Sequence, residues 1–439
     1  MFIKSFKAIQ VYGTLDFEID FNRDLTFLIG ANGCGKTTVL KLIHSFLAVD
    51  IGKLITTPFL RMELKVRTDK DLHLYCSKSD DELEIGVVGA SEKIKIPYLV
   101  NEDKRSFGRE YDFDEAAALG DKSELYKMLR NLPRITFLNL ERTYARSGAD
   151  DDFDDYDSRR YRPNYRRMVS ADNGSYANIL DASFLIQENY RILKKYEDKK
   201  NIKLKDNILK SAFQYSENSL ADFNNKKVKS EISAILNNKK EIDDAVYSVG
   251  VKDAGLRNEV DKFFNKLESL YESIEDADDD LVSLELVMNK AQIDRFISLI
   301  DIVDDHKSNI DKLFEPINTF VSTINDFFKD SRKKVSINTI GRLVIEDVKG
   351  NDVPIHGLSS GERQLLVIFA HAIIKIVRKP NYKKGVFLID EPELSLHMKW
   401  QEKFSEKIYE LNQGAQFIMA THSPEIVGEN FDKYINVDG

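Results

Sequence analysis

The sequence predicts an α/β fold: a head split into two halves, a β-meander attached to the first half, and a helical arm inserted between them. Three observations carry the prediction. Strand-like runs of three to eight residues crowd both ends of the chain. An apolar strand, a glycine-rich turn and a helical pattern follow one another over residues 25–47. From about residue 175 to 330, Gly and Pro nearly vanish and apolar residues recur at helical spacing.

The elements follow in order. Phe2–Ile9, Leu15–Phe21 and Leu25–Ile29 alternate or run apolar as strands do, and a helix is expected from Lys36 to Leu47. Residues 60–100 hold four short alternating runs, around Met62–Val66, Leu72–Tyr75, Leu83–Val88 and Ile94–Ile96, which read as the meander. Ile135–Leu140 reads as one more strand. Residues 147–173 carry six Asp from Asp150 to Asp157, then five Arg from Arg159 to Arg167, with Tyr156, Tyr161 and Tyr165 among them. Such segregated charge reads as a surface loop, or as a contact segment for a partner or nucleic acid.

In the arm, Phe263, Leu267, Leu270 and Ile274 make a 4-3-4 seam suited to a second helix. The charge there is uneven, +6 over residues 188–240 and −12 over 241–315. Two solvated faces leaning on each other explain this, and so does a basic surface offered to an acidic partner such as DNA. The cluster from Asp276 to Asp280 reads as a solvated helix terminus. After Lys334, strands are expected at Val335–Ile340 and Leu343–Val348, and a helix from about Gly361. A strand at Val386–Ile389, a helix near 396–412 and strands at Phe417–Ala420 and Tyr434–Val437 complete the pattern. The expected division is 1–145 for the N-terminal lobe of the head, 146–174 for the charged loop, 175–333 for the arm and 334–439 for the C-terminal lobe.

Composition narrows the class. The 439 residues carry 64 Lys plus Arg against 73 Asp plus Glu, a net charge of −9, so no global field attracts nucleic acid. Cys34 and Cys76 are the two cysteines, which excludes a disulfide framework and a CxxC metal motif. The N-terminus alternates as a strand rather than reading as a targeting signal. The apolar stretch Leu365–Val377, broken by His371 and Lys375, falls short of the ~18 residues a membrane helix needs. A cytoplasmic protein without membrane contact is the expectation.

The chemistry concentrates in a few segments. Gly30-Ala31-Asn32-Gly33-Cys34-Gly35-Lys36-Thr37 matches G-x-x-x-x-G-K-[ST] between a strand and a helix, the context that gives this motif meaning. Its glycines let backbone N–H groups turn around a phosphate, and the helix N-terminus adds its positive end. Lys36 reaches the β- and γ-phosphates of ATP, and the Thr37 hydroxyl ligates Mg²⁺. Asn32, Gly33, Gly35, Lys36, Thr37 and Thr38 are the candidate nucleotide-binding set of this segment. Val386–Glu391 is an apolar strand ending in two acids: Asp390 is delivered to the Mg²⁺ shell, and Glu391 polarises a water for attack on the γ-phosphorus. Leu358-Ser359-Ser360-Gly361-Glu362-Arg363-Gln364 opens a helix, with Gly361 29 residues before Asp390. Thr421-His422-Ser423-Pro424 follows an apolar strand, with His422 32 residues after Asp390.

Together these four segments resemble the motif set of the ABC-type ATPases, with LSSGE as signature, Glu391–His397 as D-loop and His422 as switch histidine. The resemblance implies that His422 senses the γ-phosphate. It also implies that Ser359 and Gly361 act in trans, closing over ATP held by a second copy, so a homo-oligomer with composite sites is expected. Lys36 and Gly361 stand 325 residues apart, unlike the short middle of transporter subunits. The split head, the arm, Glu391-Pro392-Glu393 with His397 and the Thr-His-Ser-Pro segment resemble the RecF, SMC and OLD branch. No glutamine-loop equivalent stands out; Arg142 lies near a plausible place. Only 17 residues follow His422, where OLD nucleases continue into a Toprim domain, so a separate effector, a nuclease, is expected. On layout the chain is similar to the ATPase subunits of two-gene anti-phage systems of the PARIS or Septu type, with DNA or a phage protein as trigger. The alternative is a RecF- or SMC-like clamp that closes on DNA in repair or chromosome maintenance. A third class is a scaffold that binds ATP with negligible turnover.

Overall fold

A computed structural model of the chain describes residues 1–79, 81–98, 123–133, 135–139, 174–213, 225–239, 261–269, 271–272, 279–374, 385–410, 414–430 and 432–438. The Asp/Arg-rich segment, Arg142, Leu270 and Ile274, and Asp276 and Asp278 lie outside these residues. The backbone divides into two compact units, residues 1–189 with 316–439, and residues 190–315.

In the first unit, strands β1 (Phe2–Val11), β2 (Leu15–Asp20) and β3 (Leu25–Ile29) lead into α1 (Lys36–Leu47) and α2 (Ile51–Thr56). The meander is β4 (Arg61–Arg67), β5 (Asp71–Lys78), β6 (Glu82–Val87) and β7 (Lys93–Pro97). Helix α3 (Glu124–Arg130) and β8 (Ile135–Asn139) follow. Two long helices, α4 (Gly174–Phe213) and α6 (Asp279–Phe328), run through both units, and α5 (Asn225–Asn237) belongs to the second. The chain resumes with β9 (Lys333–Ile337), β10 (Leu343–Asp347), α7 (Ser360–Phe369, continued by a π-turn to Ile374) and β11 (Val386–Asp390). It continues through α8 (Met398–Glu410), β12 (Gln416–Ala420), the short α9 (Pro424–Val427) and β13 (Tyr434–Asn436).

Among the described residues three sheets build the head, the smallest being the antiparallel pair β9-β10. The first is antiparallel, in the order β2-β1-β4-β5-β6-β7. The second is parallel, in the order β13-β3-β12-β11-β8. Every residue of β11 and β12 is buried, as expected of parallel strands covered on both faces. Alternation along these strands separates two cores. Leu28, Val386, Leu388, Ile418 and Ala420 face Val39, Ile43 and Phe46 of α1 and the inner face of the antiparallel sheet. Phe27, Phe387, Ile389, Phe417 and Met419 face the other way, with Phe369 of α7, Phe404 of α8 and the last turns of α6 through Phe320, Ile324, Phe327 and Phe328. The first turns of α4 join this second core through Ile179, Ala182 and Ile186. Pro316, which removes one backbone donor from α6, stands where the two units divide.

Some element ends differ from the sequence reading. β9 stops at Ile337 rather than Ile340 because the Asn338 side chain accepts the N–H groups of Ile340 and Arg342 and turns the chain. β10 stops at Asp347 for the same reason: its carboxylate accepts from Lys349 and Asn351 N–H. α2 was not foreseen; Asp50 caps it by accepting the Lys53 N–H. In the second unit, the expected seam is kept at Leu267 and differs at the neighbouring phenylalanine pair. Phe264 and Leu267 are buried with Ile232, Ile235, Ile293 and Ile300, while Phe263 is only partly buried at its edge. The two adjacent rings meet edge to face at 5.9 Å, and which of them turns inward depends on the helices they meet. Among the described residues no helix is long and apolar enough to cross a membrane.

Candidate functional site

The parallel sheet gathers the motifs. β3, β12 and β11 are adjacent and parallel, and their carboxyl ends lie on one edge of the sheet, with Leu28 beside Ala420 and Ala420 beside Asp390. Ligands bind at such edges in open α/β sheets because the following loops and helix N-termini converge there.

The glycine-rich loop leaves β3 on this edge. Gly35 caps α1 in the left-handed region, φ 98°, and a Cβ there would stand 2.6 Å from Cζ of Phe17, so β2 presses against the loop and only glycine fits. Lys36 is buried at 5% exposure, and its ammonium donates to the carbonyls of Gly30 at 2.9 Å and Ala31 at 3.0 Å. Asn32 and Gly33 face solvent, and Thr38 is half-buried on α1. Cys34 contributes only a 3.6 Å contact between its Sγ and Lys36 Nζ.

Thr37 and Asp390, 353 residues apart, meet directly: Thr37 Oγ1 donates to Asp390 Oδ1 at 2.9 Å. A hydroxyl and a carboxylate at this spacing are hard oxygen donors suited to Mg²⁺, which keeps several water or phosphate ligands and takes few from the protein. Asp390 is 5% exposed. Glu391 follows with φ 51°, a left-handed conformation uncommon for a residue with a side chain, held by its N–H bonding to Ala420 O at 2.9 Å.

On the next strand, Thr421 N–H bonds to Leu28 O, and His422 follows with its ring exposed. The His422 N–H donates to Glu393 Oε1 at 2.6 Å. Ser423 caps α9 by accepting the Ile426 N–H.

The signature segment opens α7 with a capping box. Ser359 Oγ accepts the Glu362 N–H at 3.2 Å, and Glu362 Oε2 accepts the Ser359 N–H at 2.8 Å. Ser359 is exposed, so its hydroxyl proton is available to an anion approaching from solvent. Glu362 is 2% exposed and paired with Lys333 at 2.8 Å. Burial alone would push its carboxyl up, but the hydrogen bond from Lys333, with those from Ser359 and Ser331, outweighs it and holds the carboxyl below the usual range. A Cβ on Gly361 would meet Ser395 O at 2.5 Å, so the absence of a side chain lets the D-loop lie against α7. Gln364 Nε2 donates to Pro392 O at 2.9 Å and fastens the same two segments.

Sequence reasoning missed two groups here. Asp438 places both carboxylate oxygens 2.8 and 2.9 Å from the Ala31 N–H, beside the glycine-rich loop, because β13 runs parallel to β3 and brings it there. Glu393 was read only as part of a motif, and its bond to His422 is invisible in a spacing. Nothing local in the sequence marks either contact.

A family model described as an AAA ATPase domain matches residues 1–427. The chain belongs to this AAA ATPase domain family. It is an ATP hydrolase by that membership. The Retron Vc95 probable ATPase of Vibrio cholerae serotype O1 biovar El Tor is 23% identical over 428 residues, 92% of this chain and 67% of that protein. The Retron Ec83 probable ATPase of Escherichia coli is 26% identical over 141 residues, 28% of this chain and 26% of that protein. Endonuclease GajA of Bacillus cereus (strain VD045) is 34% identical over 86 residues, 19% of this chain and 14% of that protein. Among solved structures, the Smc head domain with an extended coiled coil from Pyrococcus furiosus, bound to the C-terminal domain of ScpA, aligns at TM-score 0.41. It is 14% identical and covers 97% of this chain and 91% of that one. An Smc head from Pyrococcus yayanosii aligns at TM-score 0.39 with 15% identity, covering 99% and 94%.

Proposed function

We propose that the chain is a Mg²⁺-dependent ABC-type ATPase that works as a homo-oligomer with composite sites and controls a separate effector, a nuclease, in anti-phage defence. The observation that supports it most is the 2.9 Å bond between Thr37 and Asp390, on neighbouring loops of one sheet edge. Thr37 and Asp390 would hold Mg²⁺, which neutralises charge on the β- and γ-phosphates when bound. The loop N–H groups and Lys36 bind the phosphates. Glu391 takes a proton from the attacking water as its oxygen bonds to the γ-phosphorus; the bond to the β-phosphate oxygen breaks, and ADP and phosphate leave. His422 lies at the carboxyl end of the adjacent strand as a contact for the γ-phosphate.

The exposed Ser359 hydroxyl, on a helix start fixed by Glu362, supports completion in trans by Ser359 and Gly361 of a second copy. The test mixes a Lys36→Ala chain with a Ser359→Arg chain. Each alone is inactive; mixed oligomers regain part of the activity, because one composite site of each mixed pair is intact. No recovery in verified mixed oligomers sinks the composite site.

The defence role rests on the two retron ATPases and the endonuclease among the relatives, and the effector would be sought by what co-purifies with the chain. DNA or a phage protein is the proposed trigger. The alternative, a RecF- or SMC-like DNA clamp, is favoured by the local excess of Lys and Arg over residues 188–240. It predicts ATP- and salt-dependent binding of duplex DNA by the purified chain alone, and that result would displace the effector model.

A further inference from the structure

The loop carrying His422 is held by a carboxylate that no part of the hydrolysis scheme uses. Glu393 Oε1 accepts the His422 N–H at 2.6 Å, at the short end for an N–H···O bond. Its other oxygen, Oε2, is buried and, among the described residues, has no hydrogen-bond partner. Among the described residues the carboxyl group therefore holds one partner, the His422 peptide N–H.

Glu393 is itself anchored on two sides. Its carbonyl accepts the Leu396 N–H at 2.9 Å, and Gln401 Nε2 donates to Leu396 O at 2.8 Å. Gln401 Oε1 accepts from Ser423 Oγ at 2.6 Å, which closes a ring back to the loop of His422. One residue earlier, Pro392 O accepts from Gln364 on α7. Three loops are thus joined through one turn of chain: the segment after β11, the segment after β12 and the start of the signature helix.

We propose that Glu393 is a positioning residue for the γ-phosphate response of His422: its carboxylate fixes the peptide N–H of His422, so that the imidazole is already placed when ATP arrives. The proposal rests on the role given to His422 above. Acting on the backbone, Glu393 sets the position of the ring whatever its protonation state. Moving that peptide by an ångström removes a contact made to ATP and absent with ADP, so the effect is selective for the triphosphate.

The experiment measures ATP and ADP affinities by calorimetry in the Glu391→Gln background, where ATP is expected to persist. Glu393→Ala weakens ATP by about tenfold, the loss expected for one charge-assisted bond, and leaves ADP within about twofold. Glu393→Gln keeps an acceptor oxygen and recovers most of the ATP preference. Adding Glu393→Ala to His422→Ala weakens ATP no further than His422→Ala does, because both act through one contact. Equal losses for ATP and ADP reduce Glu393 to general support of the loop and overturn the proposal. An unchanged ATP affinity, or the same added factor with His422 removed, does so too. If His422→Ala alone leaves the ATP-to-ADP ratio intact, the reading of His422 falls first, and Glu393's role goes with it.

Discussion

Replacing Lys333 with Met strips a buried carboxylate of its counter-ion. Glu362, 2% exposed, receives two bonds from the Lys333 ammonium, at 2.9 and 2.8 Å, and sits in the capping box that fixes Ser359. Breaking a buried pair from one side costs about 3–5 kcal/mol, because an uncompensated charge stays behind. Two features reduce that here. The Lys333 side chain is 21% exposed, so water reaches part of the site, and Ser359 N–H and Ser331 still bond to the carboxylate. The expected loss is about 2–3 kcal/mol at pH 7.5. The sign with pH follows from the depressed Glu362 carboxyl. In the wild type its contribution is complete above the ordinary carboxyl value of 4.5 and is lost as pH falls through the lower folded value. In Lys333→Met the chief cause of that depression is gone, so the deficit shrinks as pH falls and the carboxyl takes a proton. Urea unfolding followed by the fluorescence of Trp400 reads this well: the indole is buried on α8, lies edge to face with Phe327 at 6.2 Å and donates to Asp330 Oδ2. A Lys333→Met protein within about 0.5 kcal/mol of wild type at pH 7.5 refutes the argument, since surface substitutions fall in that range. So does a deficit that does not change with acid. Lys333→Met with Glu362→Leu, which removes both charges, should recover most of the loss.

Three further outcomes follow from other residues. Gln416, 1% exposed, accepts the Ile3 N–H and donates to Ile3 O and Asn22 O. Gln416→Leu strands these groups and lowers stability by about 3 kcal/mol, read by chemical denaturation. Burial pulls Lys78 down to about 8 from 10.5. The unfolded chain then binds more protons between those values, so stability rises with pH across that window, and Lys78→Met removes this part of the slope in melting curves taken from pH 8 to 10. Glu391→Gln retains ATP binding and loses turnover, while Lys36→Ala loses both; nucleotide binding and phosphate release measured side by side check this, and unchanged hydrolysis in Glu391→Gln removes Glu391 as the base.

The strands and helices of the head were legible because their signals are local. Val386–Ile389 and Phe417–Ala420 are unbroken apolar runs, and α1 begins at Lys36 behind three closely spaced glycines. The structure keeps all of these. The errors lie where side chains turn the backbone or compete for a core. Asn338 and Asp347 shorten two strands by accepting backbone N–H groups, and in the second unit Phe264 rather than Phe263 is the fully buried ring of the cluster both join.

By itself the sequence determined the split α/β head and the candidate site: Lys36, Thr37, Asp390, Glu391, Ser359, Gly361 and His422 are named by motif, because phosphate binding requires fixed residues at short, fixed spacings. It could not determine what holds them. Thr37 with Asp390, Glu393 with His422, Asp438 with Ala31 and Gln416 with Ile3 are separated by 353, 29, 407 and 413 residues. No spacing rule encodes such pairs. The first three form where parallel strands bring distant loops to one edge, the last where the start of β12 meets β1 of the antiparallel sheet, and each bond depends on ångström-scale distances that the fold alone sets.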